Sequence, residues 1–229
     1  MSEFRHPVEG YVFVVTYGRS GSTLLQNVIN ALPGCLLRGE NNNALFPLYK
    51  SWCALVRSPD ICRMVAAGEV SGPTHPWFGA EAIDPHAYAT SLCANFARHV
   101  LRPPPDIRIS GFKEIRTIAR EDTFLDYLEF IRGHFPNARF VFNTRNHAAV
   151  VKSSWWRQHD PAEVEKMMHS AESVFAQFAK AHPDCSVRVH YDAYTADQSA
   201  LEPLFDLLGR RPSREQLLDV MRTRLTHAT

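Results

Sequence analysis

The residues most suited to chemistry lie in one eight-residue segment, Thr16 to Thr23, with the sequence TYGRSGST. It holds two glycines, three Ser or Thr hydroxyls after Gly18, and one permanent cation, Arg19. Five apolar residues at 11–15 precede it and predict a buried strand, and apolar residues at helical spacing follow it and predict a helix. A strand, a glycine turn and a helix N-terminus direct backbone amides at one point, so we expect a phosphate or sulfate site.

A glycine turn with no ligand is the alternative, because glycines and serines between a strand and a helix are ordinary turn and capping residues. Arg19 favours the anion site. A guanidinium between two glycines has no structural task in a turn, whereas its donors match the oxygens of phosphate or sulfate.

The spacing of the glycines argues against a site for ATP or GTP. The loop G-x-x-x-x-G-K-[ST] of those proteins has a lysine after its last glycine and a hydroxyl that holds magnesium. Here Gly18 and Gly21 are three positions apart, and Ser22 follows. The later predicted strand, 139–143, ends in Asn143, where a nucleotide kinase usually has an aspartate for the metal. We therefore expect an anion bound without magnesium.

A second candidate phosphate site lies far along the chain. Arg145 follows the strand at 139–143, and Ser153 stands eight residues later. An arginine at a strand exit and a serine about two turns into the next helix can close on one phosphate from two sides.

Together these two motifs resemble those of the sulfotransferases that use 3′-phosphoadenosine 5′-phosphosulfate (PAPS). The R-S-G-S at 19–22 is similar to the loop of carbohydrate sulfotransferases, whereas the cytosolic branch has a lysine at the position of Arg19. The resemblance implies that PAPS is the co-substrate, that adenosine 3′,5′-bisphosphate (PAP) is the product, and that no metal is required. It assigns the 3′-phosphate to Arg145 and Ser153. It assigns the 5′-phosphosulfate to the loop residues Gly18, Arg19, Ser20, Gly21, Ser22, Thr23 and Leu24.

A carboxylate is expected beside this anion site. A short second strand, Cys35 to Arg38, leads to Glu40 in an Asn-rich segment. Ligands of open α/β sheets collect outside the carboxyl ends of the strands, so Glu40 should face the loop and could accept the proton of an attacking hydroxyl. A surface glutamate is the alternative. The resemblance favours the catalytic base, because carbohydrate and small bacterial sulfotransferases have a glutamate at a similar distance.

A third strand, predicted at 107–112, leads to Lys113 and Glu114. Strand alternation turns these side chains to opposite faces, and Lys113 is expected to face the transferred group. The lysine with Arg116 three residues on resembles a family feature. Cytosolic sulfotransferases have their catalytic histidine in this region, and this chain has none there. That difference supports Glu40 as the base and leaves Glu114 as a rival.

The order of the predicted elements indicates an α/β fold. We expect three α/β/α layers around a mainly parallel sheet of the P-loop nucleotide-binding type, in one domain over residues 1–229. Residues 44–107 lack strand signals and should form a helical insertion, with helices at 44–67 and 85–101, that caps the acceptor site. Trp77 and Phe78, in the loop between these helices, could stack on a sugar or another apolar face, but we expect them to pack against the core.

Further along, helices are predicted at 122–134 and 162–181, and a strand at 187–192. Trp155 and Trp156 could line the acceptor pocket or belong to the core. The segment that begins at Tyr191 is expected to be scaffold. The chain lacks the K-G-x-x-G segment with which cytosolic sulfotransferases bind the nucleotide again. Three arginines near the C-terminus could replace it or form a solvated surface: Arg210, Arg211 and Arg214.

Composition limits the classes of partner and the cellular compartment that we expect. A net charge of +1 argues against a polybasic nucleic-acid surface. The five cysteines include no C-x-x-C pair and fit a reducing compartment. The N-terminus is polar, and no apolar run reaches the roughly 20 residues of a membrane span, so a cytoplasmic protein is expected. The oligomeric state is left open.

These residues predict in-line transfer of a sulfuryl group from PAPS to an acceptor hydroxyl of a carbohydrate, lipid or secondary metabolite, or less readily to an amine. Glu40 would be the base, and Arg19 and Lys113 would stabilise charge. Two alternatives stay open: a small-molecule kinase with an aberrant loop, and a non-catalytic module that binds the nucleotide.

Overall fold

A parallel five-stranded sheet forms the centre of the protein. The computed structural model describes residues 4–68, 70–119 and 123–222, except for the side chains of residues 154 and 155. The strand order is β2-β3-β1-β4-β5, and every neighbouring pair is parallel. The strands are β1 Tyr11–Val15, β2 Cys35–Arg38, β3 Ile109–Glu114, β4 Ala138–Thr144 and β5 Ser186–His190.

Helices cover both faces of this sheet. They are α1 Ser22–Asn30, α2 Leu45–Val56, α3 Pro59–Ala67, α4 Pro85–Phe96, α5 Phe124–His134, α6 His147–Val151, α7 Pro161–Ala181, α8 Tyr191–Ala196, α9 Glu202–Leu208 and α10 Arg214–Arg222. A π-helical turn, Ala97–Leu101, continues α4. Among the described residues, no helix is both apolar enough and long enough to span a membrane.

The side chains of β1 alternate between two hydrophobic clusters. Tyr11, Phe13 and Val15 pack with α2, α4, α5 and α7 on one face. Val12 and Val14 pack with α1, α9 and the apolar side of α10 on the other. Because both faces are covered, all five residues are buried, as the continuous apolar run predicts. The three-layer α/β/α fold is confirmed.

The segment between β2 and β3 is helical, with one break that was not predicted. The expected helix at 44–67 is two helices, because Pro59 occupies the first turn of α3 and the Ser58 side chain caps that helix. A residue before proline is disfavoured in helical conformation, so α2 has to end before this point. The loop that follows does not anchor its aromatic residues, since Trp77 is 40% exposed and Phe78 57% exposed. The expectation that they pack against the core is wrong.

Several boundaries differ from the predicted ones in ways that move candidate residues. Strand β3 extends through Lys113 and Glu114, because these residues pair in register with Val14 and Val15 of β1. Helix α6 ends at Val151, so Ser153 lies beyond it. The predicted start of the helix at residue 122 lies outside the described residues.

Strand β5 ends at His190, and Tyr191 and Asp192, which were predicted to continue the strand, form the first turn of α8.

We expect Gly111→Ala to destabilise the protein strongly. A Cβ atom at this position in β3 would lie 1.6 Å from the carbonyl oxygen of Val12, which belongs to the neighbouring strand and cannot move aside. Such overpacking should lower the free energy of unfolding by about 3 kcal/mol. Gly133→Ala is the matched control, because nothing lies within 4 Å of its added Cβ and alanine favours the helix. Urea unfolding that ranks the two variants equally would contradict this account of β1 and β3.

Candidate active site

The parallel sheet places the predicted site residues at one edge. Residues 16–21 follow β1, Glu40 follows β2, Lys113 lies near the end of β3, and Arg145 follows β4. The carboxyl ends of parallel strands share one edge of the sheet, where ligands of open α/β folds bind. Since β3 separates β2 from β1, the exits of those two strands lie about 10 Å apart, at about 4.8 Å per strand.

The loop after β1 has a strained backbone. Arg19 has a φ of 66° and Gly21 a φ of 78°, both in the left-handed region. A non-glycine residue in this region is uncommon, and such residues cluster at functional sites. Gly21 is also the N-cap of α1, and no side chain caps the helix there. The amide of Leu24 already donates to the carbonyl oxygen of Gly21 at 3.0 Å. The start of α1 and the positive end of its dipole are otherwise open to an anion.

Residues of the β4 segment and the turn that follows α6 hold this loop in place. The Thr16 hydroxyl donates to the carbonyl oxygen of Asn143 at 2.7 Å and lies 2.7 Å from the Ser20 hydroxyl. The Asn143 amide donates to the carbonyl of Ser20 at 2.9 Å, and the indole of Trp156 donates to that of Gly18 at 3.0 Å. Because these contacts are buried, the loop has its shape before any ligand binds.

Arg145 lies directly against the loop. Its Nη1 donates to the carbonyl oxygen of Arg19 at 3.0 Å, and its guanidinium lies 4.4 Å from the ring centre of Tyr191. The same ring lies so close to Gly21 that a Cβ there would come within 2.0 Å of it. The structure thus brings the two predicted anion-binding motifs together, on one side of the sheet.

Both arginines have an unused donor. The Nε atoms of Arg19 and Arg145 are buried and, within the described part of the chain, neither has a hydrogen-bond partner. A buried donor without an acceptor costs about 1–3 kcal/mol, so native structures almost always satisfy it. Anionic oxygens bound at the loop and at Arg145 would supply the missing acceptors.

Ser153 does not contact Arg145 in this structure. Its hydroxyl donates to the carbonyl oxygen of Val150 at 2.6 Å, and its backbone carbonyl accepts from the amide of Trp156. The segment that carries Ser153 is still tied to the loop, because Trp156 also donates to Gly18. Trp156 is 7% exposed and belongs to the core, whereas the side chain of Trp155 lies outside the described residues.

Glu40 forms ion pairs with two cations. Its Oε1 lies 2.6 Å from the Nζ of Lys113, and its Oε2 lies 2.9 Å from the Nη1 of Arg116. The side chain of Lys113 is 7% exposed and that of Arg116 49% exposed, so only the arginine is readily accessible. Burial alone would raise the pKa of Glu40, but the two cations outweigh it and lower that pKa. Glu40 is therefore ionised at neutral pH.

Glu114 is turned to the opposite face of β3 and is almost fully buried. Its carboxylate accepts from the backbone amides of Asn43 at 2.7 Å, Ile115 at 2.9 Å and Arg116 at 3.1 Å, and lies 3.4 Å from that of Asn41. These bonds join the segments after β2 and β3. A carboxylate occupied in this way is a structural group, which disfavours Glu114 as a rival base.

Two of the three C-terminal arginines, Arg210 and Arg211, have other partners in this structure. Arg210 donates to Glu9 and to the carbonyl oxygen of Pro33, which precede β1 and β2 and so lie at the amino ends of the strands. Arg211 pairs with the exposed side chains of Glu202 and Asp206. The alternative in which Arg210 binds the 3′-phosphate is wrong, because this residue lies at the wrong end of the sheet. For Arg211 and Arg214 it stays a prediction.

The sequence analysis assigned no function in the site to four residues that contact the loop or Arg145, directly or through one another: Tyr17, Asn143, Glu172 and Tyr191. Tyr191 was expected to be scaffold. Asn143 was noted only for lacking a carboxylate, and its amide orders the loop instead. Glu172 had a detectable signal, since it follows Met168 by four residues on the buried stripe of α7. A carboxylate on an apolar stripe indicates a specific partner.

The chain belongs to the sulfotransferase family, whose model matches residues 11–211. One solved structure with a similar fold is the sulfotransferase domain from the Synechococcus PCC 7002 olefin synthase, with a TM-score of 0.60 and 18% identity over 97% of this chain and 80% of that one. Another is the sulfotransferase domain from the curacin biosynthetic pathway, with a TM-score of 0.54 and 16% identity over 94% and 79%. No curated protein sequence matches the chain. Family and fold together support sulfotransfer activity in general.

We expect Glu114→Gln to destabilise the site more than an exposed carboxylate would. The amide NH₂ of glutamine would face backbone donors in place of an acceptor, which should cost about 3 kcal/mol of unfolding free energy. Glu202→Gln is the control, because its ion pair with Arg211 is exposed on both sides and should contribute under about 1 kcal/mol. Chemical denaturation measures both. A loss for Glu114→Gln no larger than for the control would contradict the structural role.

Proposed function

We propose that the protein transfers a sulfuryl group from PAPS to an acceptor hydroxyl. The observation that carries this proposal is the pair of buried, unpartnered Nε atoms of Arg19 and Arg145 beside an uncapped helix N-terminus. Two separate cationic groups around one loop suit a ligand with two anionic ends, as in a nucleotide with a 5′-phosphosulfate and a 3′-phosphate.

The loop would hold the 5′-phosphosulfate through its backbone amides and the hydroxyls of Ser22 and Thr23. Arg19 keeps its charge at any working pH, so its role is to stabilise negative charge that develops on the bridging oxygen. Arg145 would bind the 3′-phosphate. Ser153 joins it by rotating its hydroxyl away from the carbonyl of Val150. Because ATP has no 3′-phosphate, a site that depends on this contact would reject ATP.

Glu40 would accept the acceptor's proton. In the resting protein it is a weak base, because Lys113 and Arg116 lower its pKa. Either cation can leave Glu40 for a sulfuryl or phosphate oxygen, and the loss of one positive neighbour raises the basicity of the carboxylate. Donor binding would thus prepare the base. The helical segment 44–107 would cover the acceptor, whose hydroxyl could belong to a carbohydrate, a lipid or a secondary metabolite.

The first test is nucleotide selectivity. We expect PAP to raise the melting temperature in the presence of EDTA, and at 100 times its Kd to add about 2.7 kcal/mol, or roughly 5–10 °C for a chain of this length. Mg-ATP should give a much smaller shift. The reverse pattern, with stabilisation by Mg-ATP that EDTA abolishes, would show a small-molecule kinase and overturn the proposal.

The second test concerns the base. Glu40→Gln should leave the affinity for PAP within about twofold of the parent and reduce sulfate transfer from radiolabelled PAPS by about 10²- to 10⁴-fold, the usual contribution of a general base. Transfer is measured against pooled carbohydrate, lipid and metabolite acceptors. The exposed variant Glu202→Gln should transfer at the parental rate. Equal activity of Glu40→Gln and the parent would remove Glu40 from the mechanism.

A further inference from the structure

A polar cluster lies behind the anion loop, on the face of the sheet covered by α7. The Tyr17 side chain is fully buried, and its hydroxyl lies 2.7 Å from the Oε1 of Glu172. The Nε2 of His147 lies 2.9 Å from the same oxygen. One carboxylate on α7 therefore holds Tyr17, the second residue of the loop after β1, and His147, the first residue of α6.

The Tyr17 hydroxyl also contacts the backbone of Arg145. It accepts the N–H of Arg145 at 2.9 Å and lies 3.1 Å from the carbonyl oxygen of that residue. A phenol has one proton to donate, and a carboxylate is a stronger acceptor than a carbonyl. Tyr17 thus donates to Glu172 and accepts from Arg145. Burial and then the nearby Glu172 raise the pKa of Tyr17, so the phenol keeps this proton.

Arg145 is in this way held from two directions. Its backbone is fixed by Tyr17, and its guanidinium donates to the carbonyl of Arg19, two residues after Tyr17. If the Tyr17 hydroxyl turned away from Arg145, the guanidinium would lose its position relative to the loop. The orientation of that hydroxyl depends on Glu172, because Glu172 accepts its proton.

Packing alone does not account for a carboxylate at position 172. The neighbouring buried positions on this side of α7 are Met168, Ala171 and Phe175, and an apolar side chain would continue that stripe. A largely buried carboxylate loses hydration, which only specific partners repay. Its partners here are Tyr17 and His147, the two residues that frame the anion site.

We propose that Glu172 is a positioning residue that acts through Tyr17 on Arg145 and so sets the selectivity for nucleotides with a 3′-phosphate. This inference rests on the proposed function, since it assumes that Arg145 binds the 3′-phosphate. Glu172 itself touches neither nucleotide nor acceptor.

The test compares two probes that differ only in the 3′-phosphate, PAP and adenosine 5′-phosphate, by isothermal titration calorimetry. The readout is the ratio of their Kd values. In Glu172→Leu and Tyr17→Phe this ratio should fall about tenfold from that of the parent, the equivalent of one charge-assisted hydrogen bond. Glu172→Gln keeps an acceptor for Tyr17 and should lose less. Glu165→Gln, on the exposed side of the same helix, is the matched control and should keep the parental ratio.

A structural role would weaken both probes alike or lower only the melting temperature, and an unchanged ratio in the variants would overturn the inference. If Glu172→Leu does not fold, Tyr17→Phe decides, because it keeps the buried ring and removes only the hydroxyl that joins Glu172 to Arg145. If the parent binds PAP more tightly than adenosine 5′-phosphate and the variants show the same ratio, the proposed function stands and only this inference is overturned. If the parent binds the two probes equally well, both the proposed function and this inference are overturned.

Discussion

The hydrogen bonds between the loop after β1 and the end of β4 are the constraint on which the site depends. Thr16, Ser20 and Asn143 form them in the interior of the protein, where water cannot compete. They keep Arg19 in a left-handed conformation that an isolated peptide would seldom adopt. The hydrogen bonds to β4 therefore offset the free-energy cost of this backbone conformation, and the loop amides stay directed at one point.

Two glutamates near the ends of β2 and β3, Glu40 and Glu114, differ in the kind of partner that their carboxylates have. Glu114 receives several backbone amides and joins two segments, so it contributes to the architecture. Within the described part of the chain, the Glu40 carboxylate has side-chain partners alone, the cations Lys113 and Arg116, and these can be exchanged for a ligand. A carboxylate with exchangeable partners is suited to chemistry, whereas one bonded to the backbone is not. Residue type alone could not have distinguished them.

The hydrogen bond between Glu172 and Tyr17 connects the loop after β1 to a helix that covers the sheet. Helix α7 packs through apolar residues on one face of the sheet, and a single carboxylate from it reaches the start of the anion loop. The loop proposed to bind the anion is thereby supported by β4 in the sheet and by a helix behind it. Such support matters because phosphate and sulfate recognition depends on donors held within a fraction of an ångström.

The sequence by itself determined the layered α/β fold, the strand β1, the glycine loop between β1 and α1 and the position of Arg145 after β4, because each depends on local patterns: continuous apolar runs, glycines beside a helix start, and an arginine at a strand exit. The family assignment followed from two such patterns. It also suggested Glu40 and Lys113, which the parallel order of β2, β3 and β1 brings to one edge.

Only the tertiary structure decided which polar residues serve the fold and which stay free for a ligand. The partners of Glu114, Tyr17 and Arg210 lie far from them in sequence, so no local pattern could reveal them. The same holds for the end of α6 before Ser153 and for the exposed Trp77, since helix ends and loop packing depend on contacts that form when the chain folds. Hydrophobic periodicity is a property of one segment of the chain, whereas a hydrogen bond across the sheet depends on two segments that meet only in the folded protein.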